Sequence, residues 1–145
     1  MLKIAIRKIA LSDAEAAAQL SGEFGYPLST EVMEARIRKL ATLQNHAVFV
    51  ACVDGAVVGW IDVGITHHLQ AEPYSEIGGL VVSAAHRSGG IGRQLVIEAE
   101  RFARECGVGQ MLVRSRIERE AAHRFYLRDG YQRTKTSAVF TKALA

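Results

Sequence analysis

A glycine-rich loop with a basic flank is the part of the sequence best suited to chemistry. The stretch HRSGGIGRQL runs into a helical pattern and contains Arg87, Ser88, Gly89, Gly90 and Gly92. Backbone N–H groups of such a loop can point outward, and the positive end of the helix that follows favours anions. No Gly-Lys-Ser/Thr closes the loop as in a Walker A motif, and Leu95 stands where a dinucleotide fingerprint has its third glycine. The loop predicts a phosphate cradle of another kind; the alternative is an ordinary strand-to-helix turn.

Two glycines interrupt the apolar segment before this loop. Gly78 and Gly79 lie inside the strand pattern YSEIGGLVVS. Glycine weakens a strand, and it usually marks a bulge or the close approach of another backbone or a ligand. We therefore expect something to lie against this strand just before the chain enters the loop.

The rest of the chain supplies the elements that must hold these residues. Alternating or continuous apolar patterns predict strands at KIAIRKI, HAVFVACV, AVVGWIDVGI, YSEIGGLVVS and QMLVRSR, and a last strand or pair of strands at YQRTKTSAVFTKAL. Capping residues predict helices from Ser12-Asp13 to about Gly22 and from Ser29 or Thr30 through Leu40. A third helix, closed by Gly107, is predicted by the helical spacing of Leu95, Ala99, Phe102 and Cys106, and a short fourth helix is predicted within EREAAHRFYLRDG. Asp54-Gly55 between the second and third strands is a hairpin turn.

The element order predicts an α/β (α+β) fold. It consists of a mixed central sheet of six or seven strands with helices on both faces, including a parallel step where a helix crosses over. The sequence has no repeat, no low-complexity tract and no linker, so we expect one domain over residues 1–145.

Composition narrows the function classes. The formal net charge of +3 suits an anionic ligand but falls short of a nucleic-acid signature. No apolar run is long enough for a membrane span and the start does not resemble a signal peptide, so a cytoplasmic, soluble protein is expected. Cys52 and Cys106 lie in apolar patterns and are interpreted as small core residues. No metal site is expected, since His67-His68 has no acidic or sulfur partner at metal spacing.

Two motifs together resemble a known family. RSGGIG has the form Arg-x-x-Gly-x-Gly between LVV and a long amphipathic helix, and it resembles the acetyl-CoA-binding motif of the GNAT N-acetyltransferase superfamily. AAHRFYLRDGY resembles the second signature of that family, and the element order agrees from Lys3 to Leu144. The resemblance implies a GNAT fold and transfer of an acetyl group from acetyl-CoA to a primary amine of a small molecule or peptide, by direct attack in a ternary complex.

The resemblance also implies which residues bind acetyl-CoA. The splayed strand before the loop would bind the pantetheine arm through the backbone of Leu80, Val81 and Val82. The backbone amides that would take the pyrophosphate are those of Arg87, Ser88, Gly89, Gly90, Ile91, Gly92 and Arg93.

Two catalytic roles are implied in the same way. Glu76 lies eleven residues before Arg87, where some members carry a general-base glutamate. Tyr126 matches the tyrosine that protonates the departing thiolate. The alternatives are that Glu76 is a solvent-facing strand residue, that Tyr126 fills the core beside Phe125, and that the whole chain is a catalytically silent acyl-CoA-sensing domain. The apolar end of the last strand predicts a homodimer contact; no nucleic-acid or membrane partner is expected.

Overall fold

The computed structural model describes residues 3–145, and the chain divides into two compact units, residues 1–113 and 114–145. The first unit holds five strands: β1 (Ile4–Lys8), β2 (His46–Val53), β3 (Ala56–Thr66), β4 (Tyr74–Val82) and β5 (Met111–Val113). Its α-helices are α1 (Ala14–Glu23), α2 (Thr30–Ala41) and α3 (Ile91–Glu105). Short 3₁₀ helices at Leu11–Asp13 and Ala84–His86 precede α1 and α3.

The five strands form one sheet in the order β1-β2-β3-β4-β5. All neighbours are antiparallel except β4 and β5, which α3 connects as a parallel pair. Asp54 and Gly55 both have positive φ, 51° and 80°, as a two-residue hairpin turn requires. The predicted mixed sheet, its hairpin and its parallel step are therefore confirmed.

Helices cover both faces of this sheet. On one face Ala17 of α1 and Met33 and Ile37 of α2 form a buried cluster against which Trp60 of β3 packs. On the other face α3 approaches β3 so closely that a Cβ atom at Gly59 would lie 3.3 Å from Leu95 Cδ1. Because side chains alternate along a strand, Trp60 and Asp62 face α1 and α2, whereas Ile61 and Val63 face α3.

A buried carboxylate fixes the start of α1 against β1. Asp13 accepts hydrogen bonds from both terminal nitrogens of Arg7, at 2.7 and 2.9 Å, and from the backbone N–H of Ala10 at 2.7 Å. The hydrogen bonds from Arg7 are the main reason that the pKa of Asp13 lies below its ordinary value, with desolvation opposing them. Ser29 caps α2 in a simpler way, since its Oγ accepts from Val32 N.

Three sequence-based expectations are wrong. Residues 131–145 form no strand, so the sheet of the described residues has five strands and not six or seven. The strand predicted at 110–116 is limited to Met111–Val113. Cys106, taken for a core residue, is exposed because α3 ends at Glu105 and its buried stripe stops at Ala103, whereas Cys52 is buried as expected.

The second unit contains one helix, α4 (Glu120–Arg128), which ends before Gly130, a residue with φ of 91°. His123 Nε2 lies 2.8 Å from the carbonyl oxygen of Arg116, which ties the helix to the segment before it. Across residues 3–145, no helix is both long and apolar enough to cross a membrane.

Candidate functional site

The outer edge of β4 is only partly covered. β5 pairs with β4 at Ser75, Glu76 and Ile77, and the described chain supplies no strand partner on that side from Gly78 to Val82. The covered part is anchored by Ser75, which is fully buried and whose backbone N and Oγ both donate to Gln110 O, at 2.9 and 2.7 Å. Leu80, Val81 and Val82 therefore present backbone groups along an open edge, where an extended ligand can add like a strand.

A bulge separates the covered part of β4 from the open part. Asp62 pairs with Gly79 and Val63 pairs with Ile77, so Gly78 is the extra residue on β4. A Cβ atom at Gly79 would lie 3.0 Å from the Trp60 ring, which explains why this position carries no side chain. The two glycines that the sequence marked as unusual thus form a bulge at the point where β5 leaves β4.

The predicted cradle is an exposed loop that ends in the first turn of α3. Ser88 and Gly90 both have positive φ, 68° and 81°, and Gly90 is the N-cap residue directly before the helix. Gly90 is left-handed and Ile91 begins the right-handed helix, so their successive N–H groups turn toward one side as in an anion-binding nest. Gly90 occupies the N-cap position and has no side chain that could cap the first turn of α3, which comprises Ile91, Gly92 and Arg93.

Side chains at the cradle do not obstruct it. Ile91 is only 1% exposed because its side chain packs into the core, so only its backbone is available to contact a ligand. The Arg87 guanidinium lies over the Phe24 ring, 5.4 Å from its centroid, and Ala84 N lies 3.4 Å from Glu23 Oε1. The loop is thereby held against the C-terminal end of α1. The loop can therefore hold an anionic group with backbone amides, which is the role predicted for Arg87 through Arg93.

Glu76 lies on the face of the sheet that α1 and α2 cover. It pairs directly with Gly64, which in turn pairs with His46 of β2, so the three residues form one row across β2, β3 and β4. Paired residues point to the same face, and Glu76 is half-buried. The bulge at Gly78 follows Glu76 within two residues, which places this carboxylate beside the start of the open edge.

Sequence reasoning missed a second titratable group on this face. The Nε2 atom of His46 contacts the Oδ1 atom of Asp62, and both side chains are largely buried, with 22% and 29% of their surface exposed. No motif in the sequence marks either residue. Among residues 3–145, no three His, Cys, Asp or Glu side chains group together in a way that could hold a metal ion.

Tyr126 belongs to α4 in the second unit. Its ring packs edge-on against Phe125 with centroids 5.2 Å apart and lies 5.7 Å from the Tyr131 ring. Burial raises the pKa of the Tyr126 phenol, and the positive charge of Arg119 opposes this rise. A phenol with a raised pKa stays protonated at neutral pH and can donate a proton.

Comparison with known proteins identifies the family. The model of the acetyltransferase (GNAT) family matches residues 14–131, which include β4, the loop, α3 and α4. The chain belongs to the GNAT acetyltransferase family. The family predicted from the two motifs is thereby confirmed, and so is the acyltransferase class at the level of the family.

Two curated relatives carry more specific names. An aminoalkylphosphonate N-acetyltransferase of Salmonella typhimurium is 42% identical over 96 residues, covering 66% of this chain. The match spans 61% of the length of that relative. An aminoglycoside N(6')-acetyltransferase type 1 of Stenotrophomonas maltophilia is 28% identical over 144 residues, covering 96% of this chain and 93% of the relative.

A solved structure confirms the fold. The aminoglycoside N-acetyltransferase AAC(6')-Iy, solved in complex with CoA, superposes with a TM-score of 0.88 at 18% identity, covering 99% of this chain and 97% of that one. At this level of identity the likeness establishes the GNAT fold.

Proposed function

We propose that the protein is an acetyl-CoA-dependent N-acetyltransferase, a single domain that acetylates a primary amine of a small molecule or peptide within a ternary complex. One observation carries the proposal: the open edge of β4 from Gly78 to Val82 leads directly into the loop at the start of α3. This arrangement suits a ligand with an extended arm and a phosphate group. The names of the two curated relatives favour a small-molecule amine as acceptor.

Acetyl-CoA would supply an activated acetyl thioester. The backbone of Leu80, Val81 and Val82 binds its pantetheine arm, and the amides from Arg87 to Arg93 bind its pyrophosphate. N–H groups of the same open edge polarise the thioester carbonyl as an oxyanion hole does.

Proton transfer falls to two side chains. An alkyl ammonium with a pKa near ~10 must lose a proton before its nitrogen can attack, and Glu76 accepts that proton directly or through water. Tyr126 donates a proton to the sulfur as the bond between carbon and sulfur breaks. The raised pKa of Tyr126 keeps its phenol in the donating form.

Release of free coenzyme A with a panel of amines tests the activity. We expect release to depend on the amine, with 2-aminoethylphosphonate, neamine and propylamine as first members of the panel. Binding of acetyl-CoA without release for any amine would instead favour the silent acyl-CoA-sensing domain.

Gly92→Val is expected to weaken acetyl-CoA binding more than folding. Gly92 lies in the first turn of α3, where the backbone must come close to the phosphates and a branched side chain stands in the way. Acetyl-CoA should raise the Tm of the unaltered protein, whereas acetate should not, because most binding contacts involve the pantetheine and pyrophosphate. The variant should lose most of this rise in a thermal-shift titration.

Gly22→Val is the matched control. Gly22 is also a helical glycine, and a Cβ atom there would meet nothing within 4 Å. It should lower the Tm without changing the shift that acetyl-CoA produces. An unchanged shift in Gly92→Val would contradict the cradle, and no shift at millimolar acetyl-CoA in the unaltered protein would contradict the proposed cofactor.

The terminal segment supports a homodimer. Val139, Phe140 and Leu144 are 80%, 91% and 88% exposed and pair with no strand in the described chain. We propose that a second copy of the chain covers them, because moving apolar side chains of this size out of water lowers the free energy. Light scattering should give the mass of two chains, and Val139→Ser with Phe140→Ser should shift it to one. A single-chain mass at high protein concentration would refute the dimer.

A further inference from the structure

The pair formed by His46 and Asp62 has a setting that suits a ligand. It joins β2 to β3 on the face covered by α1 and α2, and its carboxylate lies at the bulge of β4. Oδ1 of Asp62 is engaged by His46 Nε2. Oδ2 accepts no hydrogen bond from any group within residues 3–145. Oδ1 is therefore held in place by the histidine, while Oδ2 can still accept hydrogen bonds from a ligand.

Two glycines make the room that this pair occupies. A Cβ atom at Gly64 would lie 2.7 Å from His46 Nδ1, and a Cβ atom at Gly78 would lie 2.8 Å from Asp62 Oδ2. Both distances are shorter than real Cβ contacts, so any side chain at either position would displace the imidazole or the carboxylate. Oδ2 is thus the atom that faces Gly78, the bulged residue at which the open edge of β4 begins.

Glu76 shares this setting but not the pair. The row formed by His46, Gly64 and Glu76 spans about 10 Å of backbone, and its centre has no side chain because Gly64 occupies it. Asp62 lies two residues along β3 from Gly64 and so points to the same face. His46, Asp62 and Glu76 therefore lie on the same face of the sheet, and the position between His46 and Glu76 has no side chain.

We infer that Asp62 binds the acceptor's amino group through Oδ2 and that His46 is a positioning residue that holds the carboxylate toward the bulge. This inference rests on the proposed function and adds the recognition of the acceptor to it. An alkylammonium group has three N–H donors. Asp62 takes one of them as a charge-assisted hydrogen bond, which leaves another for Glu76, the proposed proton acceptor. The arrangement selects aliphatic amines that are cationic in solution over weakly basic aromatic amines.

Asp62→Asn tests the inference in steady-state kinetics with 2-aminoethylphosphonate, neamine, propylamine and aniline as acceptors. The substitution keeps the shape of the side chain and removes its charge. Loss of a hydrogen bond between charged groups should raise the KM for the aliphatic amines about 10- to 100-fold, with a smaller effect on kcat. The thermal shift produced by acetyl-CoA should not change, because the cradle is untouched. Preference for propylamine over aniline should fall by a similar factor.

Asp54→Asn is the matched control, since it makes the same change in the exposed turn between β2 and β3, and asparagine tolerates the positive φ found there. His46→Ala should raise the KM for the amine while His46→Gln, whose amide N–H can still donate to Asp62, recovers part of the loss. A purely structural histidine would lower Tm in both variants without separating their KM values.

The outcomes separate the two proposals. If the unaltered protein acetylates an amine and Asp62→Asn keeps its KM and its preference for propylamine, the inference is overturned and the proposed function stands. If the unaltered protein releases no coenzyme A with any amine, both are overturned. Should Asp62→Asn not fold by circular dichroism, the His46 pair of variants decides: equal KM values for His46→Ala and the unaltered protein overturn the inference.

Discussion

Glu76→Gln is expected to lower the acetylation rate by ~100-fold to ~10,000-fold at neutral pH, the usual contribution of a general base. Glutamine keeps the length and the polarity of the side chain but cannot accept the acceptor's proton. The rate should recover partly as the pH rises toward the pKa of the amine, because free amine then becomes abundant without help. Steady-state rates measured from neutral pH to about pH 10, with chemistry limiting the rate, check this result.

Glu105→Gln provides the control for the loss of one carboxylate. Glu105 is exposed at the last residue of α3, so its replacement should leave the rate and its pH dependence unchanged. If Glu76→Gln retained full activity across this pH range with a good acceptor, the proton would have to leave by another route, such as a chain of water held by backbone carbonyls.

Tyr126→Phe is expected to lower the rate by a comparable factor with a different pH response. The substitution keeps the aromatic packing against Phe125 and Tyr131 and removes only the donor to the sulfur. Since burial raises the pKa of Tyr126, its phenol remains protonated throughout the neutral range, and its contribution is lost only as the pH rises through that elevated pKa. The variant lacks this donor at every pH, and ionisation of the acceptor amine does not replace it, so alkali should not rescue the variant.

A thioester with a more acidic thiol discriminates further. Its sulfur leaves without much protonation, so the defect of Tyr126→Phe should shrink with such a donor while the defect of Glu76→Gln should not. Tyr26→Phe removes a hydroxyl from an exposed ring and should behave like the unaltered protein. A Tyr126→Phe defect that alkali repairs would argue against a role at the leaving group.

Local chemistry explains which parts of the fold could be predicted. Asp54-Gly55 predicted a hairpin because both residues tolerate the positive φ that a two-residue turn needs, and both adopt it. The spacing of Leu95, Ala99 and their neighbours predicted α3 because only a helix brings them to one buried face. The glycines at 78 and 79 predicted a bulge or the close approach of another group, and the structure has a bulge at Gly78, where a Cβ atom would lie 2.8 Å from Asp62 Oδ2.

The pair of His46 and Asp62 escaped prediction because it depends on a register that the turn alone does not specify. A regular hairpin closed by Asp54-Gly55 would place Val63 opposite His46, on the face that α3 covers. Ala51 pairs with Gly59 but Cys52 pairs with Val57, so Val58 is an extra residue and the register shifts by one. Gly64 then lies opposite His46, and the histidine joins Asp62 on the other face.

The terminal segment was mispredicted for a related reason. Val139 and Phe140 gave YQRTKTSAVFTKAL the appearance of a strand, but most of the segment is polar and exposed. A strand forms only when a neighbouring strand satisfies its N–H and C=O groups, and the described chain offers none to this segment.

The short ladder between β4 and β5 has a consequence for the behaviour of the protein in solution. Because pairing stops at Ile77, the backbone from Gly78 to Val82 can be approached by any extended chain that reaches it. Such an edge is also a template for self-association into aggregates. A molecule that lies along it therefore acts as a protective edge strand, so saturating acetyl-CoA should prolong the time the protein remains dispersed at high concentration, beyond what its effect on Tm accounts for.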